Sequence, residues 1–320
     1  MAGSTYRPTG AHLVGSIPVD TAEAAFRLAM AHMGDHLKRL PDGEVGERDT
    51  WVRWQHAKIA ASPQLQPSAK KPIYVPVQPF EVVDGITSAE QIEFPSLGYA
   101  DAAIDSFRAF DRLVGEGVIP DDMRFQVGLP TPAAVSLIYV EPDSRALFDL
   151  AYERSLRQEL DRMLGEIPAE KLAIQWETVT EFALLEGLVD SHFGGDTVDA
   201  IAERVAVLVD LVPAPAEVGL HLCYGDSGHK HFCEPSDAGY LAAVSQAVLE
   251  RAGRPVNWIH MPVPKTRDDA DFFRPLATLS LPEDTDLYLG LVHQTGGQAG
   301  TERRIGAAAG IVLAFGVATE

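Results

Sequence analysis

The sequence predicts an α/β fold, a (β/α)8 TIM barrel in a single domain over residues 1–320. Three observations predict it. Short apolar runs alternate with amphipathic stretches along most of the chain, the pattern of βαβ units and a parallel sheet. Eight such runs open at His12, Lys38, Arg124, Leu172, Glu217, Val256, Leu287 and Phe315, and eight units favour closure over an open sheet. Several of these runs also close on polar residues, as strands do where they feed an active site.

Taken in order, His12 to Ser16 is the first strand and Thr21 to Met33 the first helix. Lys38 to Glu44 follows, then a helical stretch from Thr50 to Ile59. Ser62 to Pro95 is rich in proline and reads as an excursion over the barrel mouth, with Ile73 to Val77 as a side hairpin or edge strand. Tyr99 to Glu116 is helical, and Arg124 to Leu129 is a strand. Asp143 to Gly165 is a long helix, followed by the strand Leu172 to Glu177. The helix Thr197 to Leu211 leads to the strand Glu217 to Cys223. The helix Asp237 to Ala252 leads to Val256 to His260. The strand Leu287 to His293, the helix Thr301 to Leu313 and a last strand from Phe315 complete the count.

The composition is that of a globular chain, with 46% hydrophobic and 22% charged residues. The formal net charge of −20 argues against nucleic acid and against an anionic membrane, because a phosphate surface selects for basic residues. The two cysteines, Cys223 and Cys233, are too few for a disulfide scaffold. No signal-like leader or membrane-length apolar run is evident, so a cytoplasmic protein is expected. The expected partners are a small-molecule substrate and, at most, a second copy of the chain.

The chemistry-bearing residues gather at strand ends. His221 and Cys223 lie two apart on one strand, so their side chains share a face and suit one Zn²⁺ as nitrogen and thiolate ligands. His260, ending the next strand, is the candidate third ligand. A hydrogen-bonded core histidine beside an inert thiol is the alternative reading of the same pair. Asp42, Glu44 and Arg48 follow the second strand and suit an amine or polar substrate, or else a turn and a solvated helix start. Glu177 follows apolar Ile174 and Trp176, so it is shielded and needs a partner. His293 ends a strand, and Gln294 to Gln298 behind it is either an anion-holding glycine loop or a flexible connection. His229, Lys230 and His231 form a second polar cluster, a lid over substrate or a solvated loop.

These motifs resemble cobalamin-independent methionine synthases. Gly15-Ser16-Ile17-Pro18 is similar to the family's Gly-Ser-Phe-Pro, and Asp42-Gly43-Glu44 to its Asp/His-Gly-Glu. Gln175-Trp176-Glu177 is similar to its Gln-Ile-Asp-Glu strand, and His221-Leu222-Cys223-Tyr224 to its His-x-Cys-Tyr zinc motif. The resemblance implies a catalytic barrel shared with uroporphyrinogen decarboxylase. It also implies zinc on His221, Cys223 and His260, the last standing where the family has a glutamate. Ser16, Asp42, Glu44, Arg48, Trp176, Tyr224, His229 and His231 would surround the substrate. Glu177 and His293 would be the catalytic groups. The family's fourth ligand is a cysteine in a Cys-Gly pair, expected about where this sequence reads Thr319-Glu320. The family's amino-terminal half is missing from this sequence, so a folate polyglutamate donor is not expected.

Two activities follow as expectations. The first is zinc-dependent methyl or alkyl transfer to a small thiol. The alternative is a lyase or hydrolase acting on a small carbonyl or carboxylate substrate, through metal-bound water or His and Glu acid–base chemistry.

Overall fold

The computed structural model describes residues 6–70, 77–225, 228 and 230–319. His229 and residues 73–76 of the expected side strand lie outside them. Eight strands form one parallel sheet: β1 (Arg7–His12), β2 (Arg39–Pro41), β3 (Arg124–Pro130), β4 (Leu172–Thr178), β5 (Glu217–Leu222), β6 (Trp258–Pro262), β7 (Asp286–Val292) and β8 (Ala314–Thr319). Their order across the sheet is β1-β8-β7-β6-β5-β4-β3-β2. The two edge strands come together through isolated parallel bridges, Ala11 with Leu37 and Ser16 with Gly43. The sheet is therefore curled in the manner of a TIM barrel, and each of the eight predicted strand regions overlaps one of its strands, the first by His12 alone.

The principal helices are α1 (Ala22–Met33), α2 (Tyr99–Gly115), α3 (Pro142–Glu166), α4 (Thr197–Leu211), α5 (Gly239–Arg251) and α6 (Gly297–Ala309). Local chemistry sets their ends. Thr21 caps α1 through Ala24 N, and Asp196 caps α4 through Val198 N and Asp199 N. Between α1 and α2, Leu65–Pro67 and Phe80–Val82 pair as a small antiparallel ribbon within the proline-rich excursion.

Alternation along the strands separates two layers. Ile174 and Trp176 of β4, Val218 and Leu220 of β5, and Leu287 and Leu289 of β7 belong to the main apolar core. Ala173, Trp258, Tyr288 and Ala318 form a separate inner cluster. Two glycines make room for its rings. A Cβ on Gly219 would stand 2.0 Å from the Trp258 ring, and one on Gly316 would stand 2.5 Å from the Tyr288 ring.

Three boundaries differ from the sequence reading. The first strand is Arg7–His12 and ends where the predicted run begins. Pro8 and a positive-φ Gly10 hid it, and the pairing register shifts between Pro8 and Ala11. Trp51–Trp54 is a 3-10 turn, and only Gln55–Ala60 is α-helical. Helix α6 starts at Gly297, so the Gly-rich stretch is largely a helix start rather than a loop.

Candidate functional site

Two carboxylates converge at the mouth of the sheet. Glu177, near the end of β4, is 3% exposed. Glu44 follows β2 in the left-handed region, at φ +50°, a conformation uncommon for a side-chain-bearing residue and frequent at functional sites. Both point into the space left by Gly128 of β3. A Cβ there would stand 2.5 Å from Glu177 Oε1 and 3.5 Å from Glu44 Oε1. The second oxygens are tied down. Ser16 Oγ donates to Glu44 Oε2, and the Trp51 indole N–H donates to Glu177 Oε2. Glu44, Arg48, Trp51, Trp54, Tyr99, Gly128, Pro130 and Glu177 line a narrow cleft.

The electrostatics follow from this enclosure. Burial, and then the charge of Glu44, push the Glu177 carboxyl up to about 8, against the opposing hydrogen bonds from Trp51 and Gln175. Burial likewise raises Glu44, with Ser16 opposing. Two carboxyls in one dry site cannot both ionise easily, so the couple holds a proton at neutral pH.

On the same inner face lie three buried histidines, with His221 opposite Glu177 in the β4–β5 register. His221 Nδ1 and His260 Nδ1 share a hydrogen bond of 2.7 Å, with their rings stacked at 4.9 Å. His12, the last residue of β1, lies 5.8 Å from the His260 ring and stacks on Tyr288 at 5.0 Å. Burial pushes His221 down to about 4 and His12 to about 3, and holds His260 well below the usual imidazole range. All three are neutral at pH 7.

As arranged, this cluster does not fit zinc. Imidazole nitrogens sit about 2.0–2.1 Å from Zn²⁺, so a pair this close would subtend roughly 80° at the ion, far below the tetrahedral angle. Cys223 Sγ accepts from Gly225 N at 3.2 Å. Among the described residues, no three His, Cys, Asp or Glu side chains gather in a metal-holding group.

The other predicted residues divide. Ser16, Glu44, Arg48 and Glu177 come together at the cleft. Asp42 lies beside them as a buried clamp, accepting from Arg48 at 2.6 Å, Ser106 at 2.6 Å and Glu44 N at 3.0 Å. Trp176 faces the opposite side from Glu177 and packs in the main core, as the two-residue period of a strand requires. Tyr224 is buried against Phe182 and donates to Glu186 at 2.9 Å. His231 pairs with Glu234 at 3.3 Å. His260 lies in the middle of β6 rather than at its end. His293 stands just past β7 with Nε2 2.7 Å from the Val263 carbonyl oxygen.

Sequence reasoning missed His12, Trp51, Trp54, Tyr99 and Gly128, and named Gln175 only as part of a motif, without a role. The signal for Gly128 was available, since a glycine inside a strand marks a close approach. His12 carried no motif. Its place depends on β1 ending against β8, which the local sequence does not show.

No protein-family model matches the chain, and no curated protein matches it in sequence. Among solved structures, it is similar to a Listeria monocytogenes protein provisionally assigned as a vitamin B12-independent methionine synthase. The TM-score is 0.52 at 14% identity, over 93% of this chain and 79% of that one. At this identity the likeness is one of fold alone: the chain has a TIM-barrel-like architecture.

Proposed function

We propose that this protein is an enzyme on a closed (β/α)8 barrel that performs acid–base chemistry on a small substrate, in the manner of a lyase or hydrolase. The observation that carries this reading is the Glu44–Glu177 couple over Gly128, with Glu177 pushed up to about 8. A carboxyl poised near neutrality is an effective proton donor, and its ionised neighbour an effective acceptor. Glu177 delivers a proton to the substrate and Glu44 accepts one. Arg48 and the Trp51, Trp54 and Tyr99 side chains wall the cleft and exclude water. Turnover tests it, once a substrate is found by screening small amino and keto acids. Glu177→Gln is expected to lose at least a hundredfold in kcat and to abolish the limb of the pH–rate profile near pH 8. Retention of that limb overturns the assignment.

The placement of His221 and Cys223 at one strand end, beside His260, favours a second reading, zinc-dependent alkyl transfer to a thiol. Bound zinc would hold a substrate sulfur as thiolate. This reading requires the His221–His260 hydrogen bond to open. Metal analysis of the purified protein separates the two. One equivalent of zinc, lost in His221→Ala and in Cys223→Ser, favours transfer, whereas metal-free active protein favours the carboxylate couple.

A further inference from the structure

We propose that His12 and Gln175 are positioning residues for Glu177, joined to it by a buried hydrogen-bonded chain that ends at the Trp51 indole. The proposal rests on the reading of Glu177 as a working carboxyl.

The chain can be followed atom by atom. Gln175 is fully buried on β4, two residues before Glu177 and therefore on the same face. Its Nε2 donates to the Val14 carbonyl at 2.8 Å, which fixes the orientation of the amide. Its Oε1 consequently faces His12 Nε2 at 2.9 Å, and His12 must carry its proton on that nitrogen. Gln126 Nε2 approaches the same oxygen at 3.5 Å while holding the Leu13 and Val14 carbonyls at 2.9 Å each. The second N–H of Gln175 reaches Glu177 Oε1 at 3.4 Å. The Trp51 indole takes Oε2 from the opposite side. Each oxygen of Glu177 thus meets one donor, from two different elements, and two donors on two oxygens set the plane of a carboxyl group.

The neutral state of His12 makes it a suitable end to this chain. Burial and the Arg39 charge keep it unprotonated across the neutral range, so it donates from Nε2 without bringing a second positive charge toward the couple. A buried His–Gln pair is also an expensive way merely to fill space. Apolar residues of the same volume are often neutral or stabilising when they replace both partners of a buried polar pair. What the polar pair adds is orientation.

The test uses the indole N–H of Trp51, one of four tryptophans, read by ¹H–¹⁵N NMR on the full chain and assigned with Trp51→Phe. Glu177→Gln is expected to move this resonance upfield, toward that of a solvent-bonded indole. Gln175→Met and His12→Phe are expected to move it in the same direction, Gln175→Met by more. His12→Asn, which keeps an N–H donor, is expected to restore most of the wild-type shift. A purely structural role would lower the melting temperature in both variants and leave the Trp51 resonance in place, and that result overturns the proposal. A resonance unmoved in Glu177→Gln overturns it as well. If Gln175→Met fails to fold, the His12 pair of variants still decides. Normal turnover in Glu177→Gln would sink the functional reading alone, since the NMR readout needs neither substrate nor activity.

Discussion

At the scale of single residues, the Glu44–Glu177 couple makes stability depend on pH in a direction that can be worked out. Glu177 has an ordinary value of 4.5 and is pushed up to about 8 in the folded chain. Between those values the folded protein keeps a proton that the unfolded chain releases. Stability therefore falls as pH rises through that window. The histidines act in the opposite sense and lower down. His12 and His221 are depressed from 6.5 to about 3 and about 4, so their contribution is lost as pH falls below 6.5. Comparing Glu177→Gln with wild type cancels the histidine term and isolates the carboxyl. Urea unfolding at pH 5 and pH 8 is expected to show the variant gaining on wild type at the higher pH, by on the order of 1–3 kcal/mol. Equal differences at the two pH values would mean that Glu177 titrates normally. The sequence made Glu177 visible as a shielded carboxylate after two apolar residues, but its partner across the mouth depends on the left-handed turn at Glu44 and on Gly128, which belong to separate strands.

At the scale of elements, two strand glycines that look alike in sequence do different work. Gly219 of β5 gives space to the Trp258 ring, which is locked beneath the Arg39 guanidinium at 4.1 Å. Gly128 of β3 gives space to the carboxyl end of the Glu177 side chain. Gly219→Ala is expected to destabilise by about 1–3 kcal/mol or more, because the ring has nowhere to go. Gly128→Ala is expected to cost less stability yet remove most activity, because the new methyl displaces the Glu177 carboxyl. Thermal melts and turnover on both variants check the contrast, and equal stability losses would undo it. The strands are legible in the sequence, and the site only partly so, for reasons that lie in the elements. β4 and β7 are largely apolar runs that meet polar residues at their far ends, Glu177 and Thr178 within β4 and His293 just past β7, and neither lies at an edge of the sheet order. β1 is interrupted by Pro8 and Gly10, so in sequence its last residue, His12, looks like the start of a strand. His221 and Cys223 were legible as a pair from spacing alone. The hydrogen bond that turns His221 toward His260 depends on the register between β5 and β6, which places them opposite each other.

At the scale of the whole molecule, the curl of the sheet depends on β2, which is only three residues long and pairs with β3 alone in the strand ladder. Side chains at the floor supply the missing attachment. Arg39 of β2 reaches Glu217 of β5 at 2.5 Å, approaches Asp286 of β7 at 3.8 Å and stacks on Trp258 of β6. Lys38 takes Asp286 at 2.8 Å, and Arg124 of β3 takes Glu217 at 3.1 Å. Arg39 is 4% exposed, so its ion pairs are not the solvated kind that contribute little. Removing its charge leaves Glu217, which is 22% exposed, with Arg124 alone, so the cost falls to about 2–3 kcal/mol, at or below the roughly 3–5 kcal/mol of breaking a fully buried pair. Arg39→Met is expected to lose about 2–3 kcal/mol in urea unfolding. Hydrogen exchange is expected to quicken first in residues 37–54, the segment that β2 anchors. Arg39→Lys should recover little, because an ammonium neither stacks on the indole nor forks between two carboxylates. The same segment carries Asp42, Glu44, Arg48 and Trp51, so the floor contact also holds one wall of the cleft. A variant that melts like wild type, with residues 37–54 equally protected, would show that the bridges at Leu37 and Gly43 hold the two edges together without Arg39.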